Sequence, residues 1–137
     1  MAITVRCADI TDVPAVLDLW TASGAHPTHT DDVASLARLI DARPGALILA
    51  LDHGIVVGSI IAGWDGWRGS IYRLVVAPTY RRRGLGTRLL GHAEDWLRGR
   101  GATRFAAIVV HYDAEAVAFW RSTGWVEQTH RVRFVKG

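Results

Sequence analysis

A short basic loop between a predicted strand and a predicted helix carries the clearest chemical signal in the chain. Residues 81–87 read RRRGLGT and follow an apolar run that breaks at Pro78. The first turn of a helix offers unpaired N–H donors and the positive end of the helix dipole. Gly84 and Gly86 let the backbone come close to an anion, and the arginines add charge around it. The loop therefore predicts a phosphate site, although it is shorter than the eight-residue phosphate loop and lacks the third glycine of the dinucleotide motif.

A second motif lies thirty residues further along, where residues 113–125 read DAEAVAFWRSTGW. Asp113 is typical of a helix N-cap, and Gly124 is typical of a residue that ends a helix. The segment therefore predicts a short capped helix that leads into a strand.

Together the two motifs resemble those of the GCN5-related N-acetyltransferase (GNAT) family. Residues 81–86 match the family pattern Arg/Gln-x-x-Gly-x-Gly/Ala. Residues 113–125 have the spacing of its Asn-x-x-Ala-hydrophobic-x-x-Tyr-x-x-x-Gly-Phe motif, with Asp113 in place of the asparagine and Trp120 in place of the tyrosine. The resemblance implies an enzyme that binds acetyl-coenzyme A (acetyl-CoA) and transfers its acetyl group directly to a primary amine of a small molecule or peptide.

The rest of the chain predicts alternating strands and helices. Strands are expected at 3–7, 46–52, 55–64, 70–77, 104–111 and 125–135. Helices are expected from Thr11 or Asp12, from Thr30 to about 44, at 84–100 and at 113–124. The resemblance implies an α/β (α+β) fold of the GNAT type. Its central sheet would be mixed and largely antiparallel, with six or seven strands, four flanking helices and a splayed strand pair forming the acetyl-CoA cleft. We expect a single domain of residues 1–137.

Composition narrows the class of protein. The 137 residues are 50% hydrophobic and 21% charged, as in an ordinary globular domain. We expect no membrane partner, because the apolar runs are strand-sized and no signal peptide is recognisable. The single cysteine, Cys7, excludes an internal disulfide and favours a cytoplasmic location. We predict that Cys7 is a buried strand residue.

The net charge of +3 raises nucleic acid as an alternative partner. Fifteen of the sixteen basic residues are arginines, but only residues 81–83 form a dense cluster. A nucleic-acid binder would more often show a basic face with interleaved aromatic residues or a recognised module. We therefore expect no nucleic-acid partner.

The resemblance assigns the cofactor site residue by residue. The backbone of residues 74–76 would pair with the pantetheine arm along a bulged strand, and the N–H groups of residues 82–87 would hold the pyrophosphate. The side chains of residues 81–83 would support the adenosine phosphates, and aromatic residues of the second motif would border the arm. The residues so implied are Leu74, Val75, Val76, Arg81, Arg82, Arg83, Gly84, Leu85, Gly86, Thr87, Asp113, Phe119 and Trp120.

The chemistry needs a donor for the thioester oxygen, a route for the amine proton and a proton for the thiolate. The N–H of Val76 would supply the first. A tyrosine commonly supplies the last in this family, but the indole of Trp120 is no practical acid. Tyr72, His111 and Tyr112 are candidates for the remaining roles, each with structural packing as its alternative.

Two segments are candidates for the acceptor side. His26 and His29 lie in the loop between the first two helices, where the resemblance places acceptor entry, and a plain surface loop is the alternative. Trp64, Asp65 and Trp67 belong to a hairpin that could form an aromatic, mildly acidic wall for a cationic amine. The same residues fit a homodimer interface or simple turn packing. The six histidines show no metal-ligand spacing, so we expect no metal.

A non-catalytic acyl-CoA sensor of the same fold is the competing interpretation. Its main support is Trp120 at the position of the usual tyrosine.

Overall fold

The computed structural model describes residues 2–137. One compact unit extends to Ala107, and Ile108–Gly137 form a second. The strands are β1 (Ile3–Cys7), β2 (Leu47–Asp52), β3 (Ile55–Trp64), β4 (Gly69–Val76) and β5 (Phe105–Ala107), and the helices are α1 (Val13–Ala22), α2 (Val33–Ala42), α3 (Leu85–Arg100) and α4 (Ala114–Arg121).

The sheet has the order β1-β2-β3-β4-β5. Strands β1 to β4 pair antiparallel with their neighbours, and β5 runs parallel to β4. Leu47 and Leu49 of β2 pack with α1 and α2, whereas α3 lies against the opposite face, where Leu89 approaches Gly58 of β3. Burial on both faces explains why β2 and β3 read as continuous apolar runs. This mixed sheet with four helices confirms the expected α+β fold.

A bulge interrupts β4 where the cofactor strand was expected to bend. Ser59 of β3 faces Val75, but Ile61 faces Tyr72, so two steps along β3 correspond to three steps along β4. The bulge contains Arg73, which has a φ of 50°, in the left-handed region. Bulges bend a strand and turn its side chains in new directions.

The edge of β4 beyond the bulge is open in the sense that, among residues 2–137, no strand pairs with it on the side of β5. Its parallel pairing with β5 begins at Gly69 and reaches only to Ile71, opposite Ala107. Residues 72–76 continue β4 past the last pair with β5. The parallel ladder ends there because β5 itself ends at Ala107.

Of the two strand predictions near the C-terminus, one was too long and the other was wrong. The strand expected at 104–111 is only Phe105–Ala107, and the one expected at 125–135 does not form, so within residues 2–137 the sheet has five strands. Val132 and Phe134 are 82% and 92% exposed. Alternating β-branched residues favour a strand, but a partner ladder decides whether one forms.

Smaller differences also have local causes. The N-cap of helix α2 lies two residues later than expected, because Asp32, rather than Thr30, accepts the N–H of Ser35 at 2.7 Å. Cys7 lies in a strand as predicted but is exposed, since β1 is an edge strand with one neighbour. Among residues 2–137, every helix is too short or too polar to cross a membrane.

Candidate active site

The N-terminus of α3 presents unpaired backbone donors. Gly84 caps the helix with a φ of 80° and contributes no side-chain bond, and the first intrahelical bond runs from the N–H of Arg88 to the Gly84 carbonyl at 3.0 Å. The N–H groups of residues 85–87 therefore precede the hydrogen-bonded turn. A Cβ built on Gly84 would meet nothing within 4 Å, so the space beside this cap is open. Such a turn can hold a phosphate.

The backbone of Val76 is turned toward the open edge of β4. The N–H of Ala77 donates to the Val57 carbonyl at 2.8 Å, which makes these two a hydrogen-bonded pair. In an antiparallel ladder the next pair, Gly58 and Val76, directs its N–H and C=O groups away from each other. Consistent with this, the Val76 carbonyl accepts from Nε of Arg81 at 3.0 Å. The N–H of Val76 is thus available on the side where a ligand could add as a strand.

Tyr80 and Arg81 fix the start of the basic loop, residues 81–87, to its surroundings. The Tyr80 hydroxyl donates to Asp52 at 2.5 Å, and this bond lowers the pKa of Asp52 and raises the pKa of Tyr80. Nη2 of Arg81 donates to the Ser23 carbonyl at 3.3 Å, at the end of α1. Arg81 therefore joins β4 to α1. Its contact with the cofactor phosphates stays a prediction.

Arg82 and Arg83 are both exposed beside the cap of α3. Arg82 adopts a φ of 63°, and the guanidinium of Arg83 lies 5.4 Å from the ring centre of Tyr80. Their positions place two positive charges near the unpaired N–H donors. Several backbone N–H donors and two guanidinium groups can bind the several oxygens of a diphosphate, which a single donor cannot.

A cluster around Arg73 was missed by the sequence reasoning. Its side chain donates to Asp31 through Nε at 3.2 Å and through Nη2 in a shorter contact, and Nη2 also donates to the His26 carbonyl at 2.7 Å. The fully buried Ser59 donates to the Arg73 carbonyl at 2.9 Å and accepts from Nε1 of Trp20 at 2.8 Å. One available signal was the polar Ser59 within the apolar run of β3.

The predicted acceptor residues separate into two places. His26 and His29 are exposed in the α1–α2 loop, residues 23–32. Asp65 caps the β3–β4 turn, accepting the N–H groups of Trp67 and Arg68 at 2.7 Å each, and these bonds lower its pKa. Trp64 ends β3, partly buried. The geometry therefore gives Asp65 a turn role.

One face of the exposed Trp67 ring is covered by the guanidinium of Arg68. The guanidinium of Arg68 lies 4.0 Å from the ring centre, and Trp67 is 69% exposed. A cationic amine would have to displace this arginine to use that face of the ring.

Tyr72 lies on β4 at the start of the bulge and is 52% exposed. A Cβ added to Gly63 would come within 2.9 Å of its ring, so the two residues lie closely together across the strands. The tyrosine is held at the edge of the sheet four residues before Val76.

Within residues 108–137, the second motif forms its capped helix. Asp113 accepts the N–H of Ala116 at 3.0 Å, as expected of an N-cap. The ring of Trp120 packs edge-on against the rings of Phe119 and Trp125, with distances between ring centres of 5.7 Å and 4.9 Å. The rings of His111 and Tyr112 pack edge-on with their centres 5.4 Å apart, and Tyr112 is 69% exposed.

Among the described residues, no group of three or more metal-binding side chains comes together.

Known proteins provide the comparison for this arrangement. Residues 13–125 match the model of the acetyltransferase (GNAT) family. An acetyltransferase of Pectobacterium atrosepticum is 33% identical over 106 residues, which cover 77% of this chain and 74% of that protein. Two crystal structures share the fold. Ard1 of Thermoplasma volcanium has a TM-score of 0.81 and 22% identity, over 92% of this chain and 84% of its own.

The second is the PaiA N-acetyltransferase of Thermoplasma acidophilum in complex with coenzyme A. It has a TM-score of 0.77 and 17% identity, over 90% of this chain and 89% of its own. A helix start without a side-chain cap, beside an open, bulged strand, is the arrangement expected of an acyl-CoA site, and the family match covers both elements. The chain belongs to the GNAT family of acetyltransferases, and that family uses acetyl-CoA.

Proposed function

We propose that this protein is an acetyl-CoA-dependent N-acetyltransferase acting on a primary amine of a small molecule or peptide. The observation that carries the proposal is the start of α3, whose first N–H groups have no side-chain cap, beside the open edge of β4 in a chain of the GNAT family. We propose further that residues 1–137 act as one catalytic domain in the cytoplasm. A homodimer stays a prediction.

The cofactor contacts follow from the backbone. The N–H groups of residues 82–87 would hold the pyrophosphate at the positive end of α3, with Arg82 and Arg83 adding charge. Residues 74–76 would pair with the pantetheine arm along the open edge of β4. Asp113, Phe119 and Trp120 remain proposed contacts of that arm. The acetyl thioester supplies the activated acyl group.

The transfer step balances without an enzyme-bound acyl group. The amine nitrogen forms a bond to the carbonyl carbon, the carbon–sulfur bond breaks, the nitrogen loses a proton and the thiolate gains one. The N–H of Val76 would donate to the carbonyl oxygen as negative charge develops there. A free alkylamine has a pKa of about 10, so it must first lose a proton to water or to a nearby base.

Three residues remain proposed for proton transfer: Tyr72, His111 and Tyr112. Tyr72 lies on β4 itself, four residues from Val76, which supports a place near the acceptor. Trp120 is packed between two aromatic rings and has no acidic proton to give. The thiolate would therefore take its proton from another residue or from solvent.

On the acceptor side, the α1–α2 loop has the stronger support. His26 belongs to a loop that is joined to β4 by Arg73. His29 shares that loop. Trp64, Asp65 and Trp67 have weaker support, because Asp65 serves the turn and Arg68 covers Trp67.

A non-catalytic acyl-CoA sensor is the second candidate. The aromatic packing of Trp120 at the usual tyrosine position is the observation that favours it. Such a protein would bind acetyl-CoA through the same backbone groups and release no thiol.

Calorimetric titration with acetyl-CoA, followed by thiol release with pooled amines, tests the proposal. We expect micromolar binding and amine-dependent thiol release. Binding without release would favour the sensor, and absence of binding would contradict both.

A pair of glycine variants locates the binding. Gly84→Val combined with Gly86→Val should abolish binding, because valine is strained at the left-handed Gly84 and blocks the approach of an anion. Gly101→Val is the matched control: Gly101 caps the other end of α3 with a φ of 108° and equally open space. It should lose similar stability and bind normally. A folded double variant with unchanged affinity would contradict the loop assignment.

A further inference from the structure

The bulge in β4 also changes the direction of the side chains along the strand. In a regular strand, side chains alternate between the two faces of the sheet, and an inserted residue breaks that alternation. Here the break falls at Arg73, whose guanidinium reaches Asp31 and the carbonyl of His26, 42 and 47 residues earlier in the chain. The bulge therefore aims an arginine at the α1–α2 loop.

Both ends of Arg73 are held. Its carbonyl accepts from the buried Ser59, which in turn accepts from Trp20 of α1. Its guanidinium lies 5.3 Å from the ring centre of Trp20 and is paired with Asp31, and the two charged side chains are only 19% and 16% exposed. A planar guanidinium that is partly desolvated and bonded to two acceptors is strongly oriented.

The backbone of Arg73 supports the same interpretation. A long side chain in the left-handed region is uncommon and costs free energy, so the surrounding contacts must maintain it. Strain of this kind concentrates at functional sites.

The partners of Arg73 border a cavity. Trp20 and Asp31 line an opening of 320 Å³ together with Leu17, Pro27 and Thr28. Most of the exposed lining of this cavity is apolar. The carboxylate of Asp31, which also lines it, is bonded to Arg73. Arg73, three residues before Val76 on β4, is thus bonded to a residue that lines this cavity.

We propose that Arg73 is a positioning residue, which couples the acetyl-CoA-binding edge of β4 to the α1–α2 loop and so sets where the amine meets the thioester. This role rests on the proposed function. Binding along residues 74–76 fixes the backbone next to Arg73, and the ion pair transmits that restraint to residues 26–31.

Hydrogen exchange with and without acetyl-CoA tests the coupling in the full chain. In the wild type, amides of residues 25–31 should become more protected when acetyl-CoA binds. Arg73→Lys keeps the charge but cannot form both bonds, and Asp31→Asn removes the ion pair. In both variants the loop should exchange about tenfold faster or more, and acetyl-CoA should no longer protect it.

Arg6→Lys is the matched control. Arg6 also forms a two-bond pair with an aspartate, donating to Asp12 at 2.7 and 3.0 Å, but it lies on β1. It should leave the protection of residues 25–31 unchanged. The Arg73 and Asp31 variants should bind acetyl-CoA within about tenfold of the wild type and lose more than that factor in thiol release with the amine pool.

The outcomes separate the two proposals. Absence of acetyl-CoA binding or thiol release in the wild type contradicts the proposed function, and the role of Arg73 with it. If the wild type binds and reacts, two results would overturn the positioning role and show that the pair serves stability alone. One is that acetyl-CoA still protects residues 25–31 in the Arg73 and Asp31 variants as it does in the wild type; the other is that these variants release thiol normally.

Discussion

The two loops that meet at β4 are built by different means. The basic loop offers a ligand its backbone N–H groups, and their direction is set within a few residues by the left-handed Gly84 and the start of α3. The α1–α2 loop has its position fixed by side chains, since Arg73 reaches it from another part of the sheet. One loop depends on local conformation and the other on contacts across more than forty residues of sequence.

This difference predicts which half of the site relatives should share. Backbone donors need only the correct turn, so a short glycine pattern is sufficient to keep them. A loop held by long-range ion pairs can change its side chains without losing the cofactor site. We therefore expect the acceptor side to be where relatives with the same fold differ.

The largest effect should come from the backbone of β4. Val76→Pro removes the N–H that faces the open edge, and thiol release should fall by about a hundredfold or more, as for loss of an oxyanion donor. The fold should persist, because this N–H lies outside the ladder with β3. Acetyl-CoA affinity should change less than tenfold, about the value of one hydrogen bond. Calorimetry and thiol release measure the two effects separately.

Val75→Pro provides the contrast. The alternation of the ladder turns the N–H of Val75 toward Ser59 of β3, so its loss should destabilise the fold by about 1–3 kcal/mol. If the Val76→Pro variant released thiol at the wild-type rate, the N–H of Val76 would have no role in the mechanism. If both variants unfolded alike, the register assigned to β4 would be incorrect.

The same contrast sets what the sequence could predict. The glycine loop, α3 and the cap at Asp113 follow from local patterns, whereas the bulged strand was implied only by the family resemblance, and each is present. The pairing of Arg73 with Asp31 has no local signature, because it depends on the bulge and on the path of a distant loop. The strand predicted at 125–135 failed for a related reason: alternation indicates a propensity, whereas pairing needs a partner elsewhere in the chain.

A smaller effect is expected at Ser59, which supports the α1–α2 side from within the core. Ser59→Ala leaves the indole N–H of Trp20 and the carbonyl of Arg73 without their buried partner. The free energy of unfolding should fall by about 1–3 kcal/mol, measured by denaturant titration. Amides of residues 25–31 should also exchange faster, because the bulge is less firmly held.

Ser122→Ala is the control for that loss. Ser122 also donates to a backbone carbonyl, that of Phe119 at 2.6 Å, but it is exposed, so water can replace the bond. Its cost should stay within about 0.5 kcal/mol. Equal costs for the two serines would mean that the buried network contributes no special stability to the bulge.

The smallest effect should appear at the tether of the basic loop. Tyr80→Phe removes the bond to Asp52, so thermal stability should fall slightly and in a pH-dependent way. The folded state lowers the pKa of Asp52, so this contribution is present above its unfolded value of about 4 and disappears as the pH falls through the lower folded value. It raises the pKa of Tyr80, so the contribution is present below about 10 and disappears as the pH rises through the higher folded value.

The difference in Tm between the wild type and Tyr80→Phe should therefore be greatest between about pH 5 and 9 and shrink at both extremes. Tyr72→Phe, which alters an exposed tyrosine on β4, should show no such profile. A difference that stayed constant down to pH 2 would mean that the Asp52 charge takes no part in holding the loop. The basic loop would then owe its position to Arg81 and its own backbone, and its contrast with the α1–α2 loop would be sharper still.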